Sequence, residues 1–163
     1  MKLLLVVMQP AAPLFAALCE QTCELARALD HVESARVLGR HVTPDGMVVC
    51  VQRWRAQAPV PSLLRPHLED GLLDWTLTFE WQPGTHECRW HAESAAVLVP
   101  GQCHGTLTLT PAVGGRGTRI ELESHFAATN AGLRNVFGSL LSRHWRSLAD
   151  AAVQRVAATS PAA

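Results

Sequence analysis

The sequence has little of several residue types, and each shortage excludes a class of function. Only 17% of the residues are charged, and the 14 basic residues equal the 14 acidic ones. Because no basic stripe compensates for this balance, we do not expect nucleic acid as a partner. The chain also contains no Tyr. Acid–base chemistry would therefore have to use His, Asp, Glu or Arg side chains, or ordered water.

Cysteines are few and odd in number. The five are Cys19, Cys23, Cys50, Cys88 and Cys103. An odd number excludes a complete disulfide framework and favours a reducing compartment, so we expect a cytoplasmic location. Cys19 and Cys23 have helical spacing, but no second close pair follows them, and we predict no zinc site there.

Long apolar runs are missing as well. No stretch approaches the roughly 20 apolar residues of a membrane span, so we expect no membrane-spanning segment. The run from Leu3 to Met8 resembles the start of a secretory signal, but Gln9 and Pro10 interrupt it before it is long enough. We predict instead that residues 2–8 form a first β-strand.

Hydrophobic periodicity divides the rest of the chain into three parts. After the first strand, Pro13 and recurring leucines predict one or two short helices. An alternation with a period of two then predicts six antiparallel strands, separated by turns rich in Pro and Gly. These strands lie at about 31–41, 46–56, 72–82, 85–93, 102–110 and 117–127. Residues 131–158 carry apolar side chains at helical spacing and predict one long amphipathic helix.

The fourth strand shows the alternation most clearly. Trp75, Leu77, Phe79 and Trp81 share one face, and the residues between them are polar. One face of the sheet is therefore expected to be dry and the other wet. At about 1.5 Å per residue the terminal helix is long enough to cross a seven-stranded sheet, and we expect it to pack against the dry face.

The order of these elements resembles the START-like superfamily, which includes polyketide cyclases, lipid-transfer domains and birch-pollen-allergen-like proteins. The most specific part is the segment PGQCHGTLTLTP at 100–111, with the glycine-rich turn at 114–117, TRIEL at 118–122 and the terminal helix. The resemblance covers nearly the whole chain and implies a single domain, residues 1–163, with an α+β helix-grip fold. In that fold a curved, seven-stranded antiparallel sheet wraps around the long C-terminal helix, here with two short helices after strand one.

The resemblance also implies a ligand cavity, but it transfers no catalytic motif. A curved sheet around one helix leaves space between them that is usually apolar with a few polar groups. We expect this space to be lined by residues of the fourth and sixth strands and of the terminal helix. The candidate ligand-binding residues are Trp75, Leu77, Phe79, Trp81, Leu107, Phe137, Leu141, His144 and Trp145.

His144 is the candidate best suited to chemistry, because an imidazole facing a cavity can bind a ligand oxygen or transfer a proton near neutral pH. The alternative is a histidine at the edge of the apolar stripe, bonded to backbone or solvent. We favour binding or carriage of a small hydrophobic molecule, lipid-like or polyketide-like, without a cofactor. A polyketide cyclase or dehydrase and a protein-interaction module with a collapsed cavity are the alternatives. A second copy of the chain, as a homodimer, is a further candidate partner.

Three histidines on the wet face form a rival cluster. His91, His104 and His125 are on consecutive predicted strands and could together ligate a transition metal. A tight hairpin at residues 100–101, however, would pair His104 with a residue near Val97 rather than with His91. We therefore predict no metal at these histidines.

Overall fold

The computed structural model describes residues 1–57, 73–95, 102–127 and 131–159, and for residues 127 and 131–140 only the backbone. Within these ranges the strands are β1 (Lys2–Val7), β2 (Val32–Val42), β3 (Val48–Ala56), β4 (Asp74–Gln82), β5 (Glu87–Ser94), β6 (Gln102–Ala112) and β7 (Gly117–Ala127). The helices are α1 (Ala11–Arg27) and α2 (Ala131–Thr159), and a single 3-10 turn (Val113–Gly115) joins β6 to β7.

The seven strands form one antiparallel sheet in the order β1-β7-β6-β5-β4-β3-β2. Strands β2 to β7 follow one another as a meander, and β1 pairs with β7, so β1 and β2 are the two edges. This arrangement confirms the predicted α+β helix-grip fold, with a curved sheet and a long C-terminal helix. In the part of the chain that the structure describes, neither helix is long and apolar enough to cross a membrane.

The helical segment after β1 corrects one detail of the prediction. The periodicity predicts one or two short helices there and the resemblance implies two, but Ala11–Arg27 is one helix of 17 residues. Pro13 lies in its first turn, where a missing N–H breaks no hydrogen bond within the helix. Thr22, a polar residue in mid-helix, is buried, and its hydroxyl donates to the Leu18 carbonyl. Neither residue therefore interrupts the helix.

The inner face of the sheet is dry, as the alternation in β4 predicts. Leu77, Phe79 and Trp81 are all buried. Helix α1 covers this face near Trp81, whose ring lies edge-on to Phe15 with the centroids 5.5 Å apart. Helix α2 covers it through Trp145, whose ring centroid is 6.3 Å from that of Phe79. The terminal helix thus packs against the dry face.

All five cysteines are buried free thiols. Burial raises the pKa of the Cys103 thiol to about 12, so this side chain is protonated at neutral pH. Burial also raises the pKa of Cys19 and of Cys23. These cysteines therefore behave as small, uncharged core residues. The cytoplasmic location stays a prediction.

The strand register corrects the argument about the three histidines. His91 pairs directly with His104, and His104 pairs with His125, so the three form a row across β5, β6 and β7. The predicted tight hairpin was wrong, because β5 ends at Ser94 and β6 begins only at Gln102. Among the residues that the structure describes, no group of three or more His, Cys, Asp and Glu side chains is arranged to hold a metal ion. That these histidines bind no metal stays a prediction.

Candidate functional site

A cavity of about 140 Å³ lies between the sheet and α2. A single buried water needs roughly 10–15 Å³ of such space, so the cavity has room for a molecule several times larger. Most of the described side chains around it are apolar. The polar or titratable ones are His31, Arg55, Gln57, Cys103 and His144.

The floor of the cavity is a single row of the strand register. Leu77 of β4 pairs with Ala92 of β5, Ala92 pairs with Cys103 of β6, and Cys103 pairs with Phe126 of β7. All four line the cavity. Because Ala92 and Cys103 have small side chains, the middle of the row does not fill the space between sheet and helix. The cavity therefore forms where two small residues meet in the register.

The neighbouring row on the same face is filled by aromatic rings. Phe79 pairs with Trp90, and Trp90 pairs with Gly105. Trp145 of α2 packs onto this row, with its ring centroid 5.5 Å from that of Trp90. These large side chains occupy the volume between helix and sheet, so the cavity ends at this row.

Two tryptophans form one wall of the cavity. Trp54 of β3 pairs with Trp75 of β4, and both line the space. The indole Nε1 of Trp54 donates to Oε1 of the buried Gln52 at 2.8 Å. Because this hydrogen bond satisfies the indole N–H, Trp54 offers the cavity an aromatic surface.

Two histidines meet at the cavity. His31 Nε2 and His144 Nδ1 are 2.8 Å apart, and one of them donates to the other according to the tautomers. The two rings are perpendicular, with centroids 5.0 Å apart. His144 Nε2 is buried and has no hydrogen-bond partner among the described residues. Since a buried polar atom without a partner is costly, this nitrogen suits a polar group of a ligand.

Both histidines are neutral at neutral pH. Burial, with a smaller contribution from His31, lowers the pKa of His144 to about 3. Burial also lowers the pKa of His31; the nearby Arg143 acts in the same direction, and Asp30 opposes it. The pair can therefore donate and accept hydrogen bonds without carrying a charge.

Arg55 lies where the cavity reaches the surface. It borders the space, and its side chain is 47% exposed. Its Nε lies 3.1 Å from a carboxylate oxygen of Glu33, and its Nη1 lies 2.9 Å from one of Asp74. Because two carboxylates already engage the guanidinium, Arg55 is a weaker attractor for an anionic ligand than an unpaired arginine.

The structure brings some of the predicted lining residues together and places others elsewhere. Those that line the cavity are Trp75, Leu77, Leu141 and His144. Phe79 and Trp81 are fully buried in the aromatic core beside it. Leu107 and Trp145 border a separate void of about 10 Å³, which is too small for more than a water. The side chain of Phe137 lies outside the described residues.

Ten of the described residues that line the cavity are not among the predicted candidates, and they include His31, Ala92, Cys103 and Phe126. The period-two alternation of the last predicted strand puts Phe126 on the same face as Ile120 and Leu122, and Cys103 lies on the same face of β6 as Leu107. That parity was the available signal for both. His31 precedes β2 and carries no periodic signal, so only the structure identifies it.

The fold and its cavity define the class of protein. The crystal structure of TTHA0849 from Thermus thermophilus is similar over 98% of this chain and 99% of that chain, with a TM-score of 0.71 and 22% identity. Zhui aromatase/cyclase from Streptomyces sp. R1128 is similar over 96% of this chain and 92% of its own, with a TM-score of 0.70 and 14% identity. Ara h 8.0201 is similar over 98% of this chain and 97% of its own, with a TM-score of 0.67 and 15% identity. These similarities establish a START-like fold.

Within this class, the chain belongs to the family described as "Protein of unknown function (DUF2505)", whose model matches residues 5–129. No curated protein matches the chain in sequence. The matched segment contains most of the sheet and therefore the floor of the cavity. Helix α2, which carries His144, follows it.

Proposed function

We propose that the protein binds a small hydrophobic molecule, carrying at least one oxygen atom, in the cavity between the sheet and α2. The observation that carries this proposal is a largely apolar space of about 140 Å³ lined by His144, whose buried Nε2 has no hydrogen-bond partner among the described residues. An apolar cavity of about 150 Å³ in another protein is large enough to bind benzene. A ligand with one or two fused rings, lipid-like or polyketide-like in chemistry, matches this size.

The lining supports binding through apolar contact with one polar anchor. The Trp54 and Trp75 rings and the Leu77 and Phe126 side chains offer contact surface. Each Å² of apolar surface that ligand and protein remove from water contributes about 25 cal/mol. His144 then orients the ligand by its oxygen, since a hydrogen bond to a buried nitrogen depends on direction.

A cyclase- or dehydrase-type enzyme is the second candidate. The His31–His144 pair favours it, because two neutral imidazoles joined at 2.8 Å lie where a general base would act. Zhui, which shares the fold, is an aromatase/cyclase. A protein-interaction module with a collapsed cavity is less favoured, because the space between sheet and α2 is open.

Fluorescence titration tests the binding proposal. 1-Aminonaphthalene is an uncharged probe with two fused rings, and its absorption overlaps tryptophan emission. Because Trp54 and Trp75 border the cavity, we expect the probe to quench tryptophan emission along a saturable curve. A loss of emission that stays linear with probe concentration would contradict a defined site.

Ala92→Leu is the variant that tests the location of the site. The added side chain projects from the cavity floor, where there is room for it, so the fold should persist and the probe should bind roughly tenfold more weakly. Val37→Leu is the matched control, because Val37 is exposed on β2, away from the cavity. If folded Ala92→Leu binds the probe like the wild type, the cavity is not the binding site.

A further inference from the structure

We propose that His31 and His144 form a two-imidazole proton relay between solvent and the cavity, and that it allows one site to bind both the hydroxyl and the carbonyl forms of a ligand. The ligand class is an apolar molecule with an enol, phenol or ketone oxygen. This inference rests on the proposed function, because it requires a ligand in the cavity. It adds the chemistry of the ligand oxygen and a role for His31.

The first support is the linear order of the contacts. His144 lines the cavity, and its Nε2 is buried without a partner among the described residues. Its other ring nitrogen, Nδ1, contacts His31 Nε2 at 2.8 Å. His31 precedes β2 and is only partly buried. Two hydrogen-bonded rings therefore connect a buried atom to a residue that reaches the surface.

The second support is the coupling of the two tautomers. If His144 Nδ1–H donates to His31 Nε2, His144 Nε2 has no proton and can accept a hydrogen bond from a ligand hydroxyl. If His31 Nε2–H donates to His144 Nδ1, His144 Nε2 carries a proton and can donate to a ligand carbonyl. Each neutral ring has one proton, so both rings must change tautomer together.

The relay step is balanced without an oxidant or a metal. The ligand O–H bond breaks, the oxygen keeps the electron pair, and the proton forms a bond to His144 Nε2. The proton on His144 Nδ1 passes to His31 Nε2, and the proton on His31 Nδ1 passes to water. Both rings end neutral in the opposite tautomer, and His144 Nε2–H then donates to the ligand oxyanion. The reverse sequence protonates an oxyanion from solvent.

The surroundings keep the relay uncharged at rest. The titratable and charged groups that face the pair are Asp30 before β2, Arg143 on α2, Arg55 on β3 and Cys103 on β6. Burial is the main reason that the pKa values of both histidines are lowered. Cys103 is a protonated thiol, and Glu33 and Asp74 engage Arg55. A charged ring is thus disfavoured, whereas exchange between two neutral tautomers is not.

Three probes of similar size separate the contributions of ring and oxygen. Naphthalene has no oxygen, 2-naphthol can donate a hydrogen bond, and 2-acetylnaphthalene can only accept one. Their dissociation constants are measured by displacement of 1-aminonaphthalene. We expect both oxygenated probes to bind the wild type about 3- to 10-fold more tightly than naphthalene, the usual worth of one hydrogen bond.

Histidine tautomers provide the decisive readout. In protein with ¹⁵N-labelled histidine, long-range ¹H–¹⁵N correlation spectra show which ring nitrogen carries the proton. With 2-naphthol bound, we expect Nδ1–H on both rings; with 2-acetylnaphthalene bound, we expect Nε2–H on both. If His31 keeps the same tautomer in the two complexes, the relay is excluded.

His31→Phe tests the outer half of the relay, and His41→Phe, at an exposed position on β2, is its control. We expect His31→Phe to bind naphthalene within about twofold of the wild type and to lose most of its preference for the oxygenated probes. A purely structural role would weaken all three probes equally and leave the preference intact, which overturns the inference. If the variant does not fold, the spectra of the wild type decide. If naphthalene itself does not bind the wild type, the proposed function fails instead.

Discussion

Trp90 lies over the backbone of Gly105. The two residues pair directly across β5 and β6, and a Cβ atom placed on Gly105 would lie 2.8 Å from Cζ2 of the Trp90 ring. The same Cβ would also collide with the carbonyl oxygen of Glu123 on β7. The missing side chain at residue 105 therefore provides the space that the Trp90 indole occupies.

Gly105→Ala should destabilise the fold strongly. Overpacking usually costs about 1–3 kcal/mol, and here one of the colliding atoms belongs to the backbone, so we expect a loss at the upper end of that range. Gly39→Ala on β2 is the matched control, because its Cβ would meet nothing within 4 Å. Chemical denaturation of both variants measures the difference. If Gly105→Ala lowers the free energy of unfolding no more than Gly39→Ala does, the close contact between Trp90 and Gly105 is refuted.

His144 should make the stability depend on pH. An unfolded histidine has a pKa of about 6.5, whereas burial in the fold lowers the pKa of His144 to about 3. As the pH falls below about 6.5, the unfolded state binds the proton first, so the free energy of unfolding decreases. At about pH 5 this one residue should lower the free energy of unfolding by roughly 2 kcal/mol.

Denaturant titrations at about pH 7 and pH 5 check this expectation on the wild type and on His144→Leu. The variant should lose less stability between the two conditions, because it has no imidazole at this position to protonate. His31, whose pKa is also lowered, acts in the same direction and remains in the variant. Equal losses in the two proteins would show that His144 is not held neutral.

Leu77 and Leu109 form a matched pair for testing the cavity by stability. Both are buried, but Leu77 borders the cavity and Leu109 does not. Leu→Ala substitutions in cores cost about 2–5 kcal/mol, depending on the packing that is lost. We expect Leu109→Ala to lower the free energy of unfolding by an amount near the upper end of this range, and Leu77→Ala by an amount near the lower end. Chemical denaturation measures both. Equal costs would argue that Leu77 is packed on all sides.

Val113 offers a gain in stability. This β-branched residue has a φ of 52°, in the left-handed region that costs an ordinary residue about 1–2 kcal/mol. Asn tolerates that region better, so Val113→Asn should raise the free energy of unfolding by about 1 kcal/mol. Val42→Asn, at an exposed position on β2 without a positive φ, should give no gain. Thermal denaturation measures the melting temperatures of the two variants. Equal shifts in melting temperature would contradict backbone strain at Val113.

The faces of the strands could be predicted from the sequence, because side chains alternate strictly along a strand. Trp75, Leu77, Phe79 and Trp81 therefore lie on the inner side as expected, and Leu77 and Phe79 are buried there. The long terminal helix followed from its apolar stripe in the same way. Both signals are local, so they need no knowledge of which strands pair at which positions.

The register could not be predicted, because it depends on the lengths of the connections between strands. The register pairs Ala92 with Cys103, and these two small side chains leave a cavity. One row away it pairs Phe79 with Trp90, and these two large rings fill the space. The same uncertainty led to the wrong pairing for His104. Four inward residues on one strand thus look equivalent in sequence but belong to different rows of the site.

The β6–β7 hairpin makes the molecule suited to attachment on a surface. Cys103 lies at the cavity and Val113 at the hairpin, ten positions apart on nearly continuous strand. At about 3.3 Å per residue the strand between them is roughly 33 Å long. A linker or dye inserted at the hairpin would thus stand well clear of the ligand. The protein could be immobilised there as a sensor with its binding end directed into the sample.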